Sequence, residues 1–342
     1  MEKLVTFPGF GWEFHLNPIL LKITDSFGIH WYGAIIAVGF LLAVFWGCRQ
    51  SSQFGIKQDH VIDMLFFAVP LGIIGARLYY VFNEFQDYRI PGDPKATIIK
   101  IVRVWDGGLA IYGGVIAAVL TVLVFCKVRK IPALPMMDIG AMGLFIGQCI
   151  GRWGNFVNVE AFGDVTGLPW RMAGPDVANY LWGTRQVEYD VYQQIVTGEL
   201  GVHPTFFYES LWNLIGFLLV VFVVKKFRKF DGQVFFSYVA WYGIGRFFIE
   251  RHRTDSIGPG EVRISLIVAA VTALVAIGVI VYMLAVKKAD GTKLYVKLTG
   301  EAAEELSESM ESEEKTAEEE NAAAPAAEIE NEEATEDAGE NT

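Results

Sequence analysis

The sequence predicts an all-α integral membrane protein of seven transmembrane helices, its N-terminus outside and its C-terminus cytoplasmic. Three observations predict it. Hydrophobic residues make up 53% of the 342, and mean hydropathy is positive. Apolar runs near the length of a bilayer crossing recur along the chain. Lys and Arg cluster in alternate connections between those runs, which orients them by the positive-inside rule. The net charge of −11 hides this pattern. Residues 301–342 hold 17 Asp/Glu against one Lys, and the remaining 300 residues stand at +5. A mildly basic membrane body suits anionic lipid headgroups.

Residues 1–29 read as an extracytoplasmic N-terminal segment, with no basic start, apolar core and cleavage site of a signal peptide. The seven spans fall at about 30–48, 61–81, 109–126, 136–153, 207–224, 233–250 and 262–286, within a membrane domain over 30–290. In the fourth, Gly140, Gly143, Gly147 and Gly151 dilute the hydropathy and offer a face on which a neighbouring backbone approaches closely. The cytoplasmic connections hold Arg49 and Lys57, then Lys127, Arg129 and Lys130, then Lys225, Lys226, Arg228 and Lys229, then Lys287 and Lys288. The opposite loops carry Arg89, Lys95, Lys100, Arg103, Arg171 and Arg185, several beside acids or far from a span, so the dense short clusters decide. Two outer loops are long: 82–108, with Pro91-Gly92-Asp93-Pro94, and 154–206, rich in Gly, Trp and Tyr and expected to form a small extracytoplasmic subdomain. Residues 291–342 close the chain as an acidic cytoplasmic tail that reads as disordered, its last 42 residues without an aromatic. Cys48, Cys126 and Cys149 make no metal-binding spacing and read as buried apolar-like thiols.

On this topology the unusual polar residues share one level. His30, Trp31 and Tyr32 lie at the outer end of the first span, Arg77 near the exit of the second, and Tyr112 at the start of the third. Arg152 and Asn155 end the fourth; Tyr208 and Glu209 open the fifth. Arg246 and Glu250 lie near the outer end of the sixth, with Tyr242 one turn deeper. Ionisable groups at membrane depth mark function by default, so these residues imply a cavity at outer-headgroup depth carrying up to three arginines. The planar guanidinium donates bidentate, charge-assisted hydrogen bonds to phosphate. Two of them in a low-dielectric site hold a phosphodiester and stabilise charge that grows on it. The anion available there is a phospholipid headgroup.

Plainer uses stand beside this one. Arg77 at a helix end snorkels to lipid phosphates; Arg251 and Arg253 serve as interfacial anchors. Arg246 and Glu250 form an i, i+4 ion pair. Trp31, Trp105 and Trp241 supply an aromatic belt. His30 is a hydrogen-bonded interface residue, Tyr112 a packed ring, and His203-Pro204 a turn. Arg152 resists such a reading, because Asn155, Asn158 and Glu160 follow within eight residues.

The segment Gly151-Arg152-Trp153-Gly154-Asn155-Phe156-Val157-Asn158-Val159-Glu160-Ala161-Phe162-Gly163 resembles the signature G-R-x-G-N-F-x-N-x-E-x-x-G of the prolipoprotein diacylglyceryl transferases. Four further pieces resemble that family in order: Ile29-His30-Trp31-Tyr32-Gly33, Gly75-Ala76-Arg77-Leu78, His203-Pro204-Thr205 with Tyr208-Glu209, and Tyr242-Gly243-Ile244-Gly245-Arg246 with Glu250. The resemblance covers about residues 15–290. It implies a seven-span bacterial inner-membrane enzyme that moves the diacylglyceryl group of phosphatidylglycerol to the lipobox cysteine thiol of a prolipoprotein, releasing glycerol 1-phosphate. No cofactor, no metal and no nucleic acid is implied; the partners are the lipid, the lipobox-bearing signal peptide and the bilayer. By motif, Arg152 and Arg246 match the family's two essential arginines, and Tyr32, Asn155, Glu160, Gly163 and Tyr242 fall at other functional positions. Arg77, Asn158 and Glu250 join them as substrate-binding candidates. One departure concerns catalysis. Many members carry His-Gly-Gly where this chain has Tyr112-Gly113-Gly114. Tyrosine, with an ordinary pKa near ~10, is a poor base at neutral pH, so Tyr112 either has a lowered pKa beside arginines or only orients substrate.

Two rival classes make different demands. A phospholipid or anion transporter using the same arginines needs polar residues continuing to the inner side, where these spans are apolar. A metal-dependent headgroup enzyme needs acids at helical spacing, whereas Glu160, Asp164, Glu209 and Glu250 are scattered.

Overall fold

A computed structural model describes residues 2–24, 28–252 and 264–300. Arg253 and the acidic run 301–342 lie outside the described residues. The chain opens with two antiparallel hairpins that the helical expectation did not include: β1 (Lys3–Phe7) with β2 (Trp12–Leu16), and β3 (Ile19–Lys22) with β4 (Gly28–His30). The helices follow: α1 (Trp31–Ser51), α2 (Gln58–Asn83), α3 (Phe85–Tyr88), α4 (Pro94–Val102), α5 (Ile111–Arg129) and α6 (Ala133–Asn158). After β5 (Val165–Thr166) come α7 (Pro175–Gly183), α8 (Tyr189–Thr197) and β6 (Gly201–Val202), which pairs with β5. The chain then forms α9 (Thr205–Leu219), α10 (Gln233–Ile249) and α11 (Ile264–Val281).

Among the described residues, six helical stretches are long and apolar enough to cross a membrane: Trp31–Phe54, Gln58–Asn83, Ile111–Arg129, Ala133–Asn158, Thr205–Val224 and Leu266–Val286. They coincide with six of the seven apolar runs. The other run forms α10, 17 residues long, packed against α6, α9 and α11. Large side chains such as Phe66 and Phe82 stand outward, 77% and 83% exposed, as lipid-facing residues do.

Small residues set the helix spacing. A Cβ on Gly75 would lie 2.3 Å from that of Ala117, and one on Gly113 2.3 Å from the Gly75 carbonyl, so α2 and α5 touch backbone to backbone. On α6, Gly143 meets Ala43 and Gly151 meets Ile36, both on α1, whereas a Cβ on Gly140 or Gly147 would meet nothing within 4 Å; Gly154, outside the expected face, meets the Tyr32 ring of α1.

Two apolar cores result. One lies among the helices around Phe54, Met136, Met142, Phe145 and Val234. The second joins β1 to the 154–206 connection, with Val5, Phe162, Met172, Leu181, Ile195 and Val202 all but inaccessible. Thr6 and Ala173 exchange two backbone hydrogen bonds of 2.9 Å, which fastens the hairpin to that connection.

The basic connections gather at the opposite end of the helices. Lys225 Nζ donates to Gln50 Oε1 at 2.7 Å, Arg228 Nη2 to the Gln53 carbonyl at 2.6 Å, and Arg129 pairs with Asp63 at 2.8 Å. There the buried Asp138 carboxylate accepts from the Gly232 and Phe235 amides at 2.7 and 2.8 Å, capping the start of α10. The ordered chain runs past 290: residues 295–300 are helical, and the Tyr295 amide donates to Asp231 at 2.8 Å.

Candidate functional site

Arg152, Asn155 and Asn158 recur every three residues on the last turns of α6. The helix ends on left-handed Val159 (φ +52°), and Ala161 (φ +56°) is left-handed as well. Such conformations cost an L-residue about 1–2 kcal/mol each. They fold the chain back so that the Glu160 carboxylate returns to α6. Asn155 Nδ2 donates to Glu160 Oε1 at 3.0 Å, and Asn158 Nδ2 to the same oxygen at 3.3 Å. The turn is pinned to the entry of α9 by Thr205 Oγ1 donating to the Ala161 carbonyl at 2.6 Å and the Gly163 amide to the His203 carbonyl at 2.8 Å. The signature is thus a helix end plus a strained turn that presents one carboxylate to two carboxamides.

Glu209, on the first turns of α9, is 4% exposed. Its Oε2 pairs with Arg152 Nη2 and lies 3.6 Å from Arg246 Nη1 on α10. Arg246 Nη2 in turn sits 2.9 Å from Glu250 Oε2. Arg152 Nη1 donates to Asn155 Oδ1 at 3.4 Å, linking the two halves. A continuous polar network therefore runs Glu250–Arg246–Glu209–Arg152–Asn155–Glu160–Asn158. The guanidinium side chains are about a fifth exposed (22% and 20%) above carboxylates that are nearly inaccessible. The reachable surface between Arg152 and Arg246 is cationic, and the compensating charge lies beneath it.

The register of α9 against α10 has its own device. The Trp212 and Trp241 indoles stack at 4.3 Å, and each N–H donates to the other's carbonyl, at 3.0 and 2.9 Å. Gly216 and Gly245 leave room: a Cβ there would fall 2.5 Å from Trp241 and 2.1 Å from Trp212. Trp241 is thus part of a helix clasp rather than of an aromatic belt. Ser210 ties α9 to α6 by donating to the Cys149 carbonyl at 2.8 Å and accepting from Trp153 Nε1 at 3.1 Å.

The other sequence-derived residues distribute unevenly. Tyr32 packs its ring on Gly154, between Trp153 and Asn155 of the signature. Tyr242 lies one turn before Arg246, stacked on Tyr238 at 5.8 Å. Tyr112 is 41% exposed on the first turn of α5, and among the described residues no hydrogen bond or ion pair links it to the arginine network. Arg77 lies apart from the arginine network. It is 4% exposed, and its guanidinium donates to the carbonyls of Lys100, Ile101, Arg103, Gly107 and Gly108 and to the Tyr88 hydroxyl. All its donors are committed to holding the 84–110 connection, and none faces the network.

Glu209, one of the polar residues at the outer level but outside the set of substrate-binding candidates, is the hub of the network. Its position at the opening of a span was the available signal. His203, expected in a turn, and Tyr208, expected at the opening of the fifth span, line an aromatic cavity of about 510 Å³ with Leu168, Trp170, Trp212 and Phe248.

Comparison with known proteins identifies the family. The family model for prolipoprotein diacylglyceryl transferase matches residues 18–282. Proteins named phosphatidylglycerol–prolipoprotein diacylglyceryl transferase are similar over most of the chain. That of Listeria welshimeri is 37% identical over 267 residues, covering 78% of this chain and 90% of its own. That of Lactiplantibacillus plantarum is 42% identical over 244 residues, 71% and 80% of the two chains. That of Lysinibacillus sphaericus is 40% identical over 273 residues, 79% and 90%.

Proposed function

This chain belongs to the prolipoprotein diacylglyceryl transferase family, and we propose that its arginine pair is the seat of the transfer. It moves the diacylglyceryl group of phosphatidylglycerol to prolipoprotein, the first step of lipoprotein maturation. The observation that carries the site assignment is the meeting of Arg152 and Arg246, from two helices, at one carboxylate oxygen of Glu209. Groups that share one carboxylate oxygen are spaced to share one phosphate.

In this reading the lipid enters sideways, its acyl chains remaining among the outward-facing apolar side chains. Its phosphodiester settles on the exposed faces of Arg152 and Arg246. Asn155, Asn158 and Glu160 form the adjoining wall for glycerol hydroxyls, supported by Tyr32, Gly163 and Tyr242. Glu250 fixes Arg246, and Glu209 fixes both arginines from beneath. The lipobox cysteine of the signal peptide approaches as thiolate, the reactive form, favoured beside two guanidiniums. Its sulfur attacks the glyceryl C3 carbon as the C3–O bond to phosphorus breaks. A thioether forms and glycerol 1-phosphate departs with the bonding electrons, the thiol proton having passed to solvent before the attack. The arginines stabilise the charge growing on the leaving phosphate, and holding both partners in place lowers the remaining barrier. Tyr112, outside the network, orients substrate rather than taking the proton.

The membrane arrangement follows the same reading. The 17-residue α10, joined to the 3-10 turn Glu250–His252, serves as a seventh crossing. The basic end, where Lys225, Arg228 and Arg129 meet α1 and α2, faces the cytoplasm of a bacterial cell. The 154–206 lobe and the Arg152 network then face outward, and the acidic run 301–342 lies inside. A transporter reading is not favoured: between the network and the basic end the core is Phe145, Met142, Ile139 and Met136.

The test is a lipobox peptide incubated with purified protein and phosphatidylglycerol. The expected result is a mass gain of one diacylglyceryl unit with release of glycerol phosphate, abolished by Arg152→Ala and by Arg246→Ala. Full activity in either arginine variant refutes the shared clamp.

A further inference from the structure

A second cationic concavity lies at the opposite end of the helices from the arginine network. It has a volume of about 500 Å³, and its charged walls are Lys225, Lys226, Arg228 and Lys297 against the single acid Asp290. Besides Gln53 and Gly291, its remaining wall is apolar. Val221 and Phe222 belong to the last turn of the α9 span, and Leu294 closes the far side. Phe222 is 67% exposed on a stretch apolar enough to cross a bilayer. The cleft therefore straddles the boundary between hydrocarbon and charge.

The basic floor is built, not merely decorated. Arg228 lies flat over the Phe54 ring at 3.9 Å and donates to the Gln53 carbonyl, which fixes its plane. Lys225 is held by Gln50. The buried Arg228 Nη1 finds no hydrogen-bond acceptor among the described residues. Burial lowers the pKa of both Lys225 and Arg228, Arg228 lowers that of Lys225 further, and Asp138 and Asp231 only partly offset the effect on Arg228. Two cations held close in a half-buried cleft gain from an added anion.

We propose that this cleft binds the phosphate of an anionic phospholipid whose acyl chains lie along α9 beside Phe222. Basic pockets between membrane helices are suited to such headgroups, and each nearby Lys or Arg contributes about a fivefold gain in affinity. The apolar wall distinguishes a lipid from a free phosphate, which has no use for Phe222 and Leu294.

The experiment uses full-length protein in detergent micelles, titrated with phosphatidic acid and followed by native mass spectrometry. Phosphatidylcholine and inorganic phosphate form parallel arms. The expected result is retention of one phosphatidic acid per chain in preference to phosphatidylcholine, without displacement by millimolar phosphate. Lys226→Gln with Lys297→Gln, both at exposed positions, should weaken retention about 25-fold and leave diacylglyceryl transfer unchanged. Retention unaffected by the double substitution overturns the proposal. Displacement by inorganic phosphate reassigns the cleft to a free anion. Carbodiimide cross-links from acids in 301–342 to Lys226 or Lys297, with no lipid retained, give the cleft to the chain's own tail.

Discussion

Replacing Glu209 by Gln isolates the hub of the network. The side chain keeps its shape, and its backbone carbonyl still accepts from Asn213 Nδ2 at 2.8 Å, so the helix should persist. What disappears is the charge that holds Arg152 and Arg246 together. Removing one partner of a fully buried pair costs about 3–5 kcal/mol. Here the arginine side chains are 20% and 22% exposed, so solvent screening reduces this to about 2–4 kcal/mol. If the lost term is the alignment of the clamp, kcat/KM falls roughly 30- to 1,000-fold at about 1.4 kcal/mol per tenfold. Glu209→Asp, a methylene shorter, should fall between. The assay is transfer from phosphatidylglycerol to a fluorescent lipobox peptide in micelles, with thermal unfolding measured alongside. A Gln variant within threefold of wild type, at an unchanged unfolding temperature, would show that the arginines act without their shared carboxylate and refute the clamp geometry.

Other substitutions separate structure from chemistry. Arg77→Lys removes most donors to the 84–110 connection. It should lower stability by about 2–4 kcal/mol, since buried carbonyls lose charged partners, and speed proteolysis of that connection. Turnover per folded molecule should stay within threefold; a selective rise in KM for lipid would return Arg77 to the site. Gly245→Ala drives a methyl into the Trp212 indole, costing about 1–3 kcal/mol by overpacking, and should change tryptophan emission and reduce transfer together. Unaltered emission would mean that the clasp yields without opening. Tyr112→Phe should slow transfer less than about tenfold, in keeping with a positioning role; an inactive variant at normal stability would assign it proton transfer.

The long helices were legible because run length and apolarity survive any arrangement of neighbours. Their ends held to within a few residues, and the basic clusters correctly foretold one charged pole. The N-terminal hairpins escape the sequence reading because strands of three to five residues leave too little alternation to register. Glu209 and Arg77 show the deeper limit. Both are charged residues near the end of a span, indistinguishable in one dimension. Whether such a group joins a network or props up a loop depends on which carbonyls and carboxylates other helices bring to it. Glu209 meets two guanidiniums, whereas Arg77 meets the backbone of a connection whose path no local pattern announces. Arg152 was legible because Asn155, Asn158 and Glu160 follow it within eight residues, and of these Asn155 is its direct partner.

The bond between Thr6 and Ala173 has a consequence for biogenesis. Strand β1 completes its packing only against residues made some 170 positions later, roughly ten to thirty seconds of elongation at ordinary ribosomal rates. Until then Val5 and Phe7 wait without their eventual neighbours while helices α1 to α6 thread into lipid. An affinity tag fused directly ahead of Lys3 is therefore expected to hinder that late docking, whereas a tag at the distal terminus leaves it untouched.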